Sequence, residues 1–143
     1  MFKNFQVVEL ISSKTKAQLS IYRNKLKFSI ATAVDIDGPE FVQLIIDPKS
    51  HAFGVRACDK DAENAIPFYT AAKRGKPWPI IVNHKAPCDM IANMMAWNDE
   101  SKYYVVMGQK FADERAIVFN LNDADEHVVT SRKAEGENKS DDE

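Results

Sequence analysis

The stretch Ala17-Gln18-Leu19-Ser20-Ile21-Tyr22, followed by Arg23-Asn24-Lys25 and then Leu26-Lys27-Phe28-Ser29, decides the fold. Apolar and polar residues alternate with a period of two, so Leu19 and Ile21 share one face of a strand and Gln18, Ser20 and Tyr22 the other. Arg23-Asn24-Lys25 reads as a turn and Leu26 to Phe28 as a short return strand. Ser29 suits the N-cap of a short helix through Ile36, which Asp37-Gly38-Pro39 stops. Phe41-Val42-Gln43-Leu44-Ile45-Ile46, the turn Asp47-Pro48-Lys49-Ser50 and Ala52-Phe53-Gly54-Val55-Arg56-Ala57-Cys58 then predict a hairpin.

Upstream, Phe5 to Ile11 is β-rich and ends in the polar turn Ser12-Ser13-Lys14-Thr15. Downstream, Asp59 to Glu63 is polar, and Ala65-Ile66-Pro67-Phe68-Tyr69 reads as an edge strand because proline cannot donate to a central ladder. After a loop at Lys73-Arg74-Gly75-Lys76-Pro77 the order of elements recurs. It comprises a strand at Pro79 to Asn83, a helix from Pro87 to Trp97 with Pro87 at its first position, and strands at Tyr103 to Gly108 and Ala116 to Leu121. Met90, Ile91, Met94, Met95 and Trp97 give that helix a broad apolar face, read as core. Strand, short helix and hairpin thus occur in residues 17–58 and again in 79–121. Two readings follow: a duplication, or an unrepeated domain whose elements coincide. The fold class is α+β, mainly antiparallel β with two short helices.

The length of 143 residues suits one compact domain, and 45% hydrophobic with 28% charged residues excludes collagen-like and wholly disordered chains. The formal charge of -2 is made of opposed parts. Residues 122–143 hold eight acids and three bases, a net of -5, so the first 121 residues carry +3. We therefore expect a single globular domain at 1–121 and an acidic, disordered tail at 122–143. No run approaches the roughly 20 apolar residues of a membrane span, and no signal peptide is recognisable. With only Cys58 and Cys88, a cytoplasmic protein with reduced thiols is expected.

Two windows lack acids altogether. Leu10 to Val34 carries Lys14, Lys16, Arg23, Lys25 and Lys27, and Asn64 to Cys88 carries Lys73, Arg74, Lys76 and Lys85. Packed together they would form one positive surface. On it Arg23, Lys25, Lys27, Lys76 and Lys85 would neutralise phosphates, and Tyr22 and Trp78 would stack on exposed bases. The plainer alternative is that the lysines are solvated strand residues and Trp78 is core.

The run Ala17 to Cys58 resembles one unit of the AbrB/MazE-type swapped-hairpin DNA-binding proteins. The alternating strand, the basic turn Arg23-Asn24-Lys25-Leu26-Lys27, the strand-to-helix step Phe28-Ser29-Ile30, then Gly38-Pro39 and a hairpin carry the likeness. The resemblance implies two such units interlocked into a barrel whose basic strand and loop region contacts DNA, with residues 79–121 supplying the second unit. It departs from the family in lacking a glycine within Asn24-Lys25-Leu26-Lys27 and a charged pattern in Ala31-Thr32-Ala33-Val34-Asp35.

Catalytic signatures are missing. The five glycines are isolated, so no phosphate loop exists. His84 and Cys88 are four apart but separated by the expected helix start at Pro87, and His51 and His127 fall in a turn and in the tail, so neither a zinc site nor a Cys-His pair is expected. Asp35 and Asp37, like Asp59, Asp61 and Glu63, lie beside turns, where carboxylates cap backbone groups. The expectation is a small non-enzymatic nucleic-acid-binding regulator or accessory protein without cofactor or metal, of a size that suits a phage or mobile element. It would bind DNA or a single strand as a monomer or homodimer. The alternative is an inhibitor or adaptor that engages a protein partner through hairpin edges or the acidic tail.

Overall fold

A computed structural model describes residues 17–76 and 78–129; the expected strand at Phe5 to Ile11, the bases Lys14 and Lys16, and residues 130–143 lie outside the described residues. The period-two alternation builds β1 (Gln18–Ile21) and β2 (Leu26–Phe28) into a hairpin, closed by the Tyr22 amide donating to the Lys25 carbonyl at 2.9 Å. Leu19, Ile21, Leu26 and Phe28 are buried. Ser20, on the opposite face, is buried too, because its short side chain sits between its cross-strand neighbours Lys27 and Val105.

Helix α1 (Ile30–Val34) follows at once and stops two residues short of the expected Ile36. Ser29 occupies the N-cap position, but its hydroxyl accepts from the Gln18 amide at 2.9 Å and lies 3.2 Å from the Thr32 hydroxyl, so it ties the helix start to β1. Left-handed Asp37 (φ 70°) lets the Gly38 amide reach back to the Ala33 carbonyl at 2.8 Å, which closes the turn. The expected hairpin forms as β3 (Phe41–Asp47) and β4 (Ala52–Cys58), with the Asp47 carboxylate accepting from the Lys49 amide and the Ser50 hydroxyl in the turn. Strand β5 (Ile66–Pro67) pairs with β3 alone, the edge position that Pro67 predicts.

The second run comprises β6 (Ile80–Val82), α2 (Lys85–Met95), β7 (Lys102–Phe111) and β8 (Ala116–Asn120). Helix α2 begins two residues before the expected start, with Pro87 third rather than first. The first-turn amides of a helix have no intrahelical acceptor, so a proline there removes no bond. Trp97 lies beyond the helix. Ala96 turns left-handed (φ 61°), the Trp97 amide donates to the Ala92 carbonyl at 3.0 Å, and the Trp97 ring stacks on Tyr104 at 3.7 Å. The sheet also passes the expected boundary at residue 121. Asp125–Val128 forms β9, paired antiparallel with β7, so these acidic residues belong to the sheet rather than to the tail. Tyr104 and Val105 pair with both β1 and β9, which places β9 on the β7 edge that β8 occupies further along.

All nine strands join one antiparallel sheet, curled as a half-barrel, in the order β5-β3-β4-β8-β7-β1-β2-β6 with β9 beside β7. Strands of residues 17–58 and of the later residues alternate along it. β1 pairs with β7, β2 with β6, β4 with β8, and β5 with β3. The concave side holds the core, where Phe28 meets Phe68 edge-on at 5.3 Å and Phe119 at 6.1 Å, all three fully buried. Cys88, Ile91 and Ala92 bury the inner face of α2 against it, with Met94 and Met95 partly buried, while Met90 is exposed.

Two substitutions with opposite signs test this packing. Ala96→Gly relieves a left-handed alanine and should stabilise the chain by about 1 kcal/mol. Gly54→Ala would place a Cβ 2.5 Å from the Ile117 carbonyl oxygen across the β4·β8 pair and should destabilise by about 1–3 kcal/mol. Chemical denaturation measures both; a destabilised Ala96→Gly chain contradicts the α2 ending described here.

Candidate nucleic-acid interface

The β2·β6 ladder joins the two acid-free windows. Its three residue pairs set Leu26 opposite Val82, Lys27 opposite Ile81 and Phe28 opposite Ile80. Since Leu26, Phe28, Ile80 and Val82 point into the core, Lys27 and Ile81 project from the convex face. The β1–β2 turn lies at the Val82 end, close to the start of α2. There the Arg23 guanidinium donates to the Asp89 carboxylate at 2.9 Å, and Lys85, one helical turn before Asp89, reaches it at 3.1 Å. The hydrogen bond from Arg23, seconded by that from Lys85, holds the Asp89 carboxyl below the usual aspartate range. One carboxylate thus answers two cations, and Asp99 and Lys102 line the cleft beside Arg23.

Beside it runs a cross-strand stack. Tyr22, at the end of β1, lies against Tyr103 of β7 with ring centres 4.7 Å apart and planes 11° apart; Tyr103 in turn lies 5.1 Å from His127 of β9. The ammonium groups of Lys25 and Lys27 approach the Tyr22 ring at 4.9 and 5.6 Å. Tyr103 comes from the β7 side of β1 and the lysines from the β2 side, so both faces of Tyr22 are occupied. In this geometry the Tyr22 ring stacks on Tyr103 and carries the Lys25 and Lys27 ammonium groups beside it. Burial raises the Tyr22 phenol, which stays neutral across the ordinary pH range.

Lys76 and Trp78 form a separate cluster. They precede Ile80, at the opposite end of the β2·β6 ladder from Arg23 and Lys85, with Lys27 and Ile81 between. Lys76 lies 5.3 Å from the Trp78 ring centre, and Trp78 is 60% exposed, so it is not a core residue. Arg74 is engaged elsewhere, over the Tyr69 ring and donating to the Gly38 carbonyl. Sequence reasoning identified the lysines but missed Tyr103, His127 and Asp89. The alternation Tyr103-Tyr104-Val105-Val106 marks Tyr103 as outward-facing, yet only the register of β7 on β1 and β9 shows what it touches.

A shallow cleft under the same corner, lined by Ile21, Arg23, Cys88, Ile91, Trp97 and Tyr104 among others, has room for little more than a water molecule. Burial raises the Cys88 thiol, so it is a poor nucleophile where it sits. Among the described residues no group of three or more His, Cys, Asp or Glu is placed to hold a metal ion, and no helix is long and apolar enough to cross a membrane. Comparisons with protein-family models, with curated proteins and with solved structures return no match.

The Asp89 cluster has a defined pH signature. A carboxyl held low in the folded chain stabilises it above the unfolded value near 3.9, and that contribution disappears as pH falls through the lower folded value. Asp89→Asn should therefore lower the melting temperature at pH 7, with the deficit shrinking below about pH 4; a deficit unchanged down to pH 2 contradicts the ion-pair geometry. The thiols give a second readout. Cys88, buried, should react with iodoacetamide at pH 8 at least about 10-fold more slowly than half-buried Cys58, as followed by peptide mass spectrometry.

Proposed function

We propose that this chain is a non-enzymatic nucleic-acid-binding protein that grips a phosphate backbone along the convex face of β1, β2 and β6. The observation that carries this reading is the β2·β6 pairing, which sets Arg23, Lys25, Lys27 and Lys85 on contiguous surface with Asp89 as the acid paired among them. Lys25 and Lys27 are the principal phosphate contacts, because no carboxylate among the described residues pairs with them and the Tyr22 ring lies beside them. Arg23 and Lys85 contribute the residual charge of their cluster. Trp78, exposed beside Lys76, supplies a stacking platform for an unpaired base, so a single strand is the preferred form.

Residues 17–58 and 79–121 are, in this proposal, two fused swapped-hairpin units. Three features support it. The pairs β2·β6 and β4·β8 each join like-placed strands of the two runs antiparallel, as a two-fold relation requires. Strand β1 lies on β7 of the second hairpin as β5, which precedes the second run, lies on β3 of the first. After each helix, three residues beyond the end of α1 and at once after α2, a left-handed residue is followed by an amide that reaches five residues back, Gly38 to Ala33 and Trp97 to Ala92. A chain whose halves already pair with each other would bind as a monomer. A second reading, a protein partner adding a strand to β6, is favoured by the single neighbour of β6 among the described strands and by exposed Ile81.

Fluorescence anisotropy with a labelled 20-nucleotide single strand at 50 and 200 mM NaCl decides between them. Three to five phosphate contacts predict an affinity loss of about 20- to 100-fold over that range. Lys25→Glu with Lys27→Glu should weaken binding at least about 10-fold at 50 mM, and Lys49→Glu, in the β3–β4 turn, should not. Trp78→Ala should weaken single-strand binding about 5- to 100-fold and leave duplex binding nearly unchanged. Absence of binding at 50 mM overturns the proposal.

A further inference from the structure

We propose that the acidic segment Ala134 to Glu143 docks on the Lys25–Lys27 face of its own chain and competes with nucleic acid there. This regulation rests on the reading of that face as a nucleic-acid surface, but the contact itself does not.

The described chain leaves β9 at Val129, whose amide donates to the Ser101 carbonyl. β9, β7, β1 and β2 are successive neighbours, so β9 stands about 14 Å from β2 at about 4.8 Å per strand. Six residues separate Val129 from Glu135, and an extended chain of that length spans up to about 20 Å. Every carboxylate from Glu135 onward can thus reach the lysines without disturbing the sheet. Ala134 to Glu143 carries Glu135, Glu137, Asp141, Asp142 and Glu143 against the lone base Lys139, a net of -4. Within that reach lies a surface on which, among the described residues, Lys25 and Lys27 have an aromatic ring for a neighbour instead of a carboxylate. Tethering holds the carboxylates at an effective concentration near the millimolar range, enough for several weak ion pairs to compete with a polyanion, and salt screens them.

Two measurements on the full chain separate this proposal from the function on which it rests. The first needs no nucleic acid: a zero-length carbodiimide cross-linker at low protein concentration and 20 mM salt, read by peptide mass spectrometry. Cross-links from the segment's carboxylates should concentrate on Lys25 and Lys27, exceed those to the turn residues Lys49 and Lys60, and fall away at 500 mM salt. Cross-links distributed evenly over the exposed lysines overturn the docking, whether or not the protein binds nucleic acid. The second compares the natural chain with one carrying Glu135→Gln, Glu137→Gln, Asp141→Asn, Asp142→Asn and Glu143→Gln. The neutralised chain should bind the 20-nucleotide strand about 10-fold more tightly at 50 mM salt, with the gap closing at about 300 mM. Equal affinities at 50 mM with the cross-links present overturn the competition, and failure of both chains to bind overturns the nucleic-acid reading while leaving the docking to the cross-links.

Discussion

Three backbone residue pairs, Leu26 with Val82, Lys27 with Ile81 and Phe28 with Ile80, hold the molecule's design together. Two short strands distant in sequence would each be marginal alone, since a three-residue strand with one neighbour satisfies few of its polar groups. Paired, they set Phe28 and Ile80 into one core and turn Lys27 and Ile81 outward. The entropy of closing so long a loop is offset because each run supplies several such strands at once: β1 on β7 and β4 on β8 repeat the exchange. Neither run could be removed without opening the core of the other.

From that exchange the surface follows. The basic windows are separate in sequence and each has its own aromatic residue, yet the ladder lays them side by side in one convex strip. At one end Arg23 and Lys85 share Asp89; in the middle Lys27, its ammonium near the Tyr22 ring, stands opposite Ile81; at the other end Trp78 projects beside Lys76. The stack of Tyr22, Tyr103 and His127 joins β1, β7 and β9 along the same face, and offset ring pairs of this kind add about 0.5–1.5 kcal/mol each beyond their buried area. Its consequence is steric: the Tyr22 ring is engaged by Tyr103 and by the lysine ammonium groups, whereas Trp78 is exposed.

Much of the fold was legible from local periodicity. The β1–β2 hairpin, the β3–β4 hairpin and the edge position of Ile66–Pro67 depend on nearby residues and on proline's missing amide, both visible in the chain. The start of α2 was not, because a proline anywhere in the first turn is tolerated, and Lys85-Ala86 carries no signal that separates helix from loop. β9 was invisible for another reason. Asp125-Glu126-His127 reads as polar tail, and its pairing is decided by the free edge of β7, with Lys102 holding Glu126 at 3.1 Å. The lysines could be seen as windows without acids, whereas Asp89's hold on Arg23 and the stacking of Tyr103 on Tyr22 depend on how remote elements are placed.

The central claim is that the two windows act as one surface, and a nuclear magnetic resonance titration of the labelled protein with a single-stranded oligonucleotide addresses it directly. The amides of Lys25, Lys27, Ile81 and Lys85, together with the Trp78 indole, should move along one common binding curve, while those of the β3–β4 hairpin stay in place. Movement confined to one window, or different curves for the Arg23–Phe28 and Trp78–Lys85 segments, would contradict the account.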